Sequence, residues 1–284
     1  MSNQYQLEVA DNRTSGGLVW LTLHAPELAR VVRAGQYLLV RCASAGSYDP
    51  LLRRPLFVAA AAQPLGQIGL LFAPGERGLA WLARARPGEV LDVLGPFGTP
   101  FEVARTTRTL LLIGEGPGLA ALLLLAAQAA QRGSTVTLLA GATEQTLLPP
   151  PFLLAADVEY ESAVGSALDL LGVAAVQPDA APLSKTAQKK LRKQQTNAPT
   201  QQPNAALRLA WADQLCAALP PERTSALANA VRAAKLRWER GFASTLLESP
   251  MVCGVGACGV CVSQLRGRNR LLCTDGPVVD LRDV

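Results

Sequence analysis

Four cysteines near the C-terminus restrict this chain more than any other feature. Cys253, Cys258 and Cys261 stand in Met251-Val252-Cys253-Gly254-Val255-Gly256-Ala257-Cys258-Gly259-Val260-Cys261, and Cys273 follows twelve positions later. Gly254, Gly256 and Gly259 suit a backbone that wraps around an inorganic group. Glycine reaches φ values closed to other residues and lets the main chain come close. Four and then two intervening residues, with a distant fourth thiol, match the spacing that holds a [2Fe–2S] cluster. The amides of such a loop can point at the sulfurs and help set the reduction potential.

Structural zinc and disulfides are the rival uses of four cysteines. Zinc sites usually present two separated Cys-x2-4-Cys pairs, each on its own knuckle. Here three thiols crowd one glycine-rich loop and the fourth stands apart. Disulfides suit an exported chain, and the polar start Met1-Ser2-Asn3-Gln4-Tyr5-Gln6 lacks the basic-then-apolar order of an export signal. The expected compartment is the cytoplasm, where thiols stay reduced and available to iron. Cys42 and Cys216 lie in apolar surroundings and read as buried, inert thiols.

With 284 residues, 49% of them apolar, the chain has room for two domains with real cores and a small appendage. Its net charge of +5 resembles that of a nucleic-acid binder, but the location of the charge argues against this. Lys185, Lys189, Lys190, Arg192 and Lys193 supply the whole excess, all inside Ser184–Asn204, a stretch without one acidic residue. That stretch is rich in Gln, Thr, Asn and Pro and reads as a disordered insertion. The longest apolar run, Leu119 to Ala130, is too short to cross a bilayer. No nucleic-acid partner and no membrane span are expected.

From Tyr5 to about Val103, short apolar or alternating runs are broken by turn residues: Leu18–Leu23, Gln36–Arg41, Leu56–Ala60, Ile68–Phe72 and Val90–Val93. This pattern predicts an antiparallel β-barrel, with a short helix at Gly78–Leu82. The grammar changes at Arg105. Thr109–Ile113 is continuously apolar, as in a strand buried on both faces of a parallel sheet. Gly114-Glu115-Gly116-Pro117-Gly118 follows, then a leucine- and alanine-rich helix to Gln131 and a strand at Ser134–Ala140. The unit is a βαβ crossover of the nucleotide-binding type. A further strand is expected near Asp157–Glu161. A helix is expected from Ala205 to Leu219, with Leu207, Trp211, Leu215 and Leu219 facing the core. The predicted division is 1–103 barrel, 104–246 Rossmann-like α/β domain, and 247–284 cluster module. Glu115 argues against a phosphate at the glycine loop, since a carboxylate beside a pyrophosphate repels it. The only histidine, His24, reads as a surface residue.

A barrel, a βαβ domain and a C-terminal cluster loop in this order resemble the electron-transfer subunit of class B dihydroorotate dehydrogenase, a family similar in fold to ferredoxin–NADP reductases. The most specific likeness lies in Leu247-Glu248, Met251, the cysteine loop and Cys273-Thr274-Asp275-Gly276-Pro277-Val278. Arg53-Arg54-Pro55-Leu56 resembles the family's flavin motif, and the resemblance gives Arg54 the FAD pyrophosphate, for which a guanidinium fork is suited. By the same likeness Pro55, Leu56, Phe57, Leu71, Phe72 and Ala73 line the flavin, and Gly78 and Leu79 stand at a phosphate-contacting Gly-Thr. Gly95-Pro96-Phe97-Gly98 looks like a family turn.

The chain departs from the pattern in four places. Phe57 stands where the family has a serine and Leu79 where it has threonine. Glu115 and Ala121 interrupt the Gly-Gly-Gly-x-Gly-x-Ala-Pro run, and Cys216-Ala217-Ala218 replaces Cys-Gly-Pro beside the nicotinamide. The resemblance implies FAD, one [2Fe–2S] cluster and NAD(H). It implies a hetero-oligomer with a catalytic flavoprotein subunit, working in pyrimidine biosynthesis as an oxidoreductase component with no catalytic acid or base of its own. Two alternatives stay open: a flavin-free iron–sulfur carrier on a degenerate scaffold, and an FAD/[2Fe–2S] subunit of another oxidoreductase such as a hydrogenase-type complex.

Overall fold

The computed structural model describes residues 3–44, 46–173, 205–235 and 237–284. The basic segment Ser184–Asn204 lies outside the described residues. Six antiparallel strands close a barrel: β1 (Asn3–Ser15), β2 (Leu18–His24), β3 (Tyr37–Val40), β4 (Arg54–Ala62), β5 (Gln67–Phe72) and β6 (Val90–Phe97), in the order β1-β2-β5-β4-β3-β6. Closure leaves no free edge. Two short helices decorate it, α1 (Pro26–Val31) and α2 (Arg77–Leu82). The barrel expected from the short alternating runs is present, and His24 is exposed.

The second layer begins with β7 (Thr109–Glu115), buried from Leu110 onward as its apolar run requires. It leads into α3 (Leu119–Gln131), then β8 (Thr135–Ala142), β9 (Val158–Val164) and α4 (Ala167–Leu171). After the undescribed segment come α5 (Ala205–Trp211), β10 (Gln214–Ala218), α6 (Pro221–Ala234) and β11 (Ala243–Leu246). The sheet runs β14-β11-β10-β7-β8-β9, where β14 (Val278–Asp280) comes from the cluster module and pairs antiparallel with β11. All other pairs are parallel. The order reverses around β7, so its C-terminal end is the switch point where open α/β sheets take their ligands.

Helix α3 is apolar on nearly every side because it packs both on this sheet and across barrel strand β4. Among the described residues no helix is long and apolar enough to cross a membrane. The helix expected over Ala205–Leu219 needs correcting. It ends at Trp211, and Gln214–Ala218 is a central strand between β7 and β11. Leu215 and Leu219 are buried as expected, but Leu207 and Trp211 are exposed. A continuous apolar run in a doubly covered strand carries no period of its own, so a four-residue leucine spacing passed through it unopposed.

The cluster module adds the hairpin β12 (Val262–Leu265) and β13 (Arg268–Leu271) and the single turn α7 (Leu272–Asp275). The stretch after Cys273 is clamped from both sides. Thr99 takes the Gly276 carbonyl through its amide at 2.5 Å and the Val278 carbonyl through its hydroxyl at 3.0 Å. Leu247 N–H donates to the Pro277 carbonyl at 2.9 Å. The Asp-Gly-Pro-Val signature is thus the seam where barrel, sheet and cluster loop meet.

Candidate electron-transfer site

Cys253, Cys258, Cys261 and Cys273 come together at this seam, and none is in a disulfide. Cys261 and Cys273 are buried, Cys253 is half-buried and Cys258 is exposed. They meet in two pairs, Cys253 with Cys258 and Cys261 with Cys273. Gly254, Gly256 and Gly259 all have left-handed φ, of 72°, 75° and 69°. At Gly254 a side chain would also strike the Phe97 ring, with a Cβ only 2.9 Å away. This close approach gives the Gly95–Gly98 turn its role, because its phenyl ring forms the floor of the cysteine loop.

The loop directs amides at its sulfurs. Gly256 N–H donates to Cys273 Sγ at 3.2 Å. The amides of Val255 and then Cys258 hold the Cys253 thiol down to about 6. Burial, followed by contact with Cys261, pushes Cys273 up to about 12. A cation bound among these four sulfurs ionises them all. A two-by-two arrangement of thiols, with amides aimed at sulfur, fits a cluster of two irons.

One further group fits it. Among the described residues only the hydroxyls of Tyr37 and Thr245 are buried without a hydrogen-bond partner. Tyr37, on β3, lies close enough to Cys273, Cys261 and Cys253 to feel their charge.

A cavity of about 500 Å³ opens between the barrel and the α/β layer. Pro55, Leu56, Phe57, Leu71, Phe72, Ala73 and Leu79 form its barrel wall, bringing together seven of the nine residues expected at the flavin. Such an apolar slot fits a flat isoalloxazine ring. Arg54 and Gly78 sit beside it, and both make contacts to Glu76 of the same chain. The Arg54 guanidinium is gripped by the Glu76 carboxylate, Nε to Oε1 at 2.8 Å and Nη2 to Oε2 at 2.7 Å. The amides of Gly78 and Leu79 donate to the same carboxylate at 3.0 and 2.6 Å. Gly78 packs so tightly on Arg54 that a Cβ would lie 2.9 Å from the guanidinium carbon. Arg53 turns the other way and binds Asp92 at 2.7 Å.

On the opposite wall the glycine loop, Gly116 and Pro117, meets Pro220 and Arg223. Glu115 lines the same opening, but its carboxylate is not a free charge there. It is buried, paired with Arg223, and accepts hydrogen bonds from the Ser166 hydroxyl at 3.0 Å and the Ala167 amide at 2.8 Å. Paired in this way, the carboxylate ties β7 to its neighbours and its charge is offset by Arg223. Glu248 closes the loop's base, accepting the Gly118 amide at 2.7 Å, while burial raises its carboxyl. Cys216 lies inside the sheet, fully buried, with its thiol pushed up to about 12 by burial; Cys42 is equally buried.

Tyr37 and Glu76 escaped the sequence reading. Nothing in Gly-Gln-Tyr-Leu-Leu-Val marks a tyrosine whose hydroxyl has no partner. Glu76 carries a faint signal as an acidic residue just ahead of a helix start.

Comparison with known proteins agrees with this geometry. Residues 248–284 match the family model described as the iron–sulfur cluster binding domain of dihydroorotate dehydrogenase B. The chain is 31% identical over 263 residues to the dihydroorotate dehydrogenase B (NAD(+)) electron transfer subunit of Geobacillus kaustophilus, covering 91% of this chain and 89% of that one. With the corresponding subunit of Shouchella clausii it shares 30% identity over 272 residues, 93% and 91% of the two chains. Among solved structures, the NADH-dependent reduced ferredoxin-NADP oxidoreductase superimposes with a TM-score of 0.67 over 100% of this chain and 91% of the other, at 20% identity. The siderophore-interacting protein SipS from Aeromonas hydrophila superimposes with a TM-score of 0.52 at 18% identity, over 85% and 96%. Those two likenesses establish the barrel-plus-α/β fold. Near-full-length identity and a matched cluster domain together place the chain in the family of dihydroorotate dehydrogenase B electron transfer subunits.

Proposed function

We propose that this chain carries one [2Fe–2S] cluster and FAD, and passes electrons between a catalytic subunit that oxidises dihydroorotate and NAD(H). The observation that carries this reading is the pairing of the four thiols, two and two, within a loop whose amides face sulfur. Cys253 and Cys258 would hold one iron, Cys261 and Cys273 the other. Bound to such a chain, FAD supplies exchange between hydride pairs and single electrons, and the cluster supplies one-electron storage. The protein's own residues bind, orient and exclude water. Leu56, Phe57 and Phe72 offer an apolar wall to the flavin ring. Arg54 is the phosphate-pairing cation once released from Glu76, and Arg223 lines the cavity from the α/β layer. No side chain of this subunit has to act on the substrate.

The exposed Val255 and Val260 of the cysteine loop, with Val262 beside them, form the proposed contact with the catalytic subunit. Val252, at the start of the same loop, is half-buried. Replacing Val255 and Val260 by Asp should weaken co-purification with the partner and leave iron content unchanged; undiminished assembly would discard the surface. The proposed compartment is the cytoplasm, since the thiols must stay reduced to take iron. The division at 103/104 and 246/247 is likewise a proposal, supported by the change from barrel to parallel sheet and checkable by limited proteolysis.

The test is anaerobic purification followed by an absorption spectrum and assays of iron, acid-labile sulfide and released flavin. Two irons and two sulfides with one FAD are expected. A colourless protein containing zinc would end the proposal. The ion pair between Arg54 and Glu76 favours a second reading, a flavin-free iron–sulfur carrier, and a cluster with no flavin would select it.

A further inference from the structure

We propose that the Tyr37 hydroxyl donates a hydrogen bond to the sulfur shell of the cluster, acting as a positioning residue that raises its reduction potential, while its ring joins that shell to the wall of the flavin cavity. This rests on the cluster reading above and adds a group beyond the four thiolates. Tyr37 is fully buried on β3, and its hydroxyl finds no partner among the described residues. Folded proteins satisfy most such groups, because an unmade hydrogen bond in the interior costs the full loss of hydration. The groups whose charge reaches this hydroxyl are Cys273, Cys261 and Cys253, three of the four ligands. A phenol hydroxyl is an O–H donor at neutral pH, and here it is buried with nothing to accept its hydrogen. A donor aimed at sulfur favours the more negative, reduced form of an iron–sulfur group.

The ring is held as firmly as the hydroxyl is buried. It meets Phe57 edge-on at 6.1 Å between centroids and Phe97 at 5.7 Å. Phe57 lines the flavin cavity, and Phe97 supports Gly254 of the cysteine loop. Gly98 leaves the space, since a Cβ there would come within 3.2 Å of the Tyr37 ring. A contiguous path of side chains therefore runs from cavity to ligand loop, with one free donor at its cluster end.

Tyr37→Phe removes the oxygen and keeps the stack. Iron and sulfide should match the wild type, while the cluster potential, measured by redox titration under electron paramagnetic resonance, should fall. The expected fall corresponds to about a three- to tenfold change in the one-electron equilibrium constant, tenfold being about 59 mV. Deuterium exchange should shift the iron–sulfur stretching bands of the wild type more than those of the variant. An iron-loaded Tyr37→Phe with unchanged potential overturns the proposal and leaves the cluster reading intact. A wild-type chain without iron and sulfide overturns both. If the variant takes up no iron, the metal-free chains decide. Without its partner the buried hydroxyl is a liability, so Tyr37→Phe should then melt above the wild type, and a lower Tm overturns the proposal.

Discussion

The cysteine loop and the flavin rim solve opposite problems with the same chemical parts. At the cysteine loop, the Gly256 amide and the amides around Cys253 face sulfur, and the Tyr37 hydroxyl is buried without a partner. At the flavin rim, the guanidinium of Arg54 and the amides of Gly78 and Leu79 are already engaged by Glu76. One region directs its amides at the sulfurs that would hold a guest; the other spends its donors on a carboxylate that competes with one. The difference teaches that motif retention and readiness to bind are separate properties. Arg54 survives at its expected place yet starts from a competing ion pair.

The largest effect should come from the ligands themselves. Cys261→Ala or Cys273→Ala should abolish the visible iron–sulfur absorption, whereas Cys42→Ala and Cys216→Ala should retain it; equal colour in all four would erase the contrast between the two regions. At the rim the sign reverses. Glu76→Gly should tighten FAD binding about tenfold by freeing a charged donor, a hydrogen bond to a charged group being worth roughly 1.5–3 kcal/mol. Arg54→Ala should weaken it by a similar factor. Fluorescence titration with FAD, and with riboflavin as the phosphate-free control, measures both; an affinity unaffected by Glu76→Gly would show that its ion pair is no obstacle.

Smaller, and confined to the cluster side, is the cost of a side chain at Gly254. Its left-handed backbone and the Phe97 ring 2.9 Å from a Cβ predict that Gly254→Ala loses about 1–3 kcal/mol. Thermal melting of the iron-loaded protein reads this directly. The smallest effect is one of pH. The Glu76 carboxyl is lowered from 4.5 to about 2, first by its hydrogen bonds with Arg54. A depressed folded value means that its stabilisation is fully present above pH 4.5 and fades as pH falls toward 2. With the carboxylate 41% exposed, solvent blunts the effect. Between pH 5 and pH 3 the wild type should lose about a degree more of Tm than Glu76→Gln; parallel curves would make the pair ornamental.

What could be read in the chain and what could not divide along the same line. Spacing and glycine placement exposed the cysteine loop because the thiols are close in sequence and their chemistry fixes the interval. Alternation exposed the barrel, as in Leu18–His24 with its inward leucines. The strand Gln214–Ala218 stayed hidden inside an apparent helix, since burial on both faces erases the period that distinguishes the two. Glu115 was recognised as a charge, but its direction was not: only the fold shows Arg223 and the Ala167 amide waiting for it. Tyr37 is the extreme case, because having no partner is a property of a neighbourhood and not of a residue.

The clamped tail from Gly276 to Asp280 has a mechanical consequence. Thr99 and Leu247 grip it from opposite sides, and its last strand extends the sheet of the nucleotide half. Any rocking of that half against the barrel must therefore drag on the stretch that begins three residues after Cys273. The fourth thiol and the seam between the two halves thus share one strap, and a shift of either half is transmitted to the ligand loop through it.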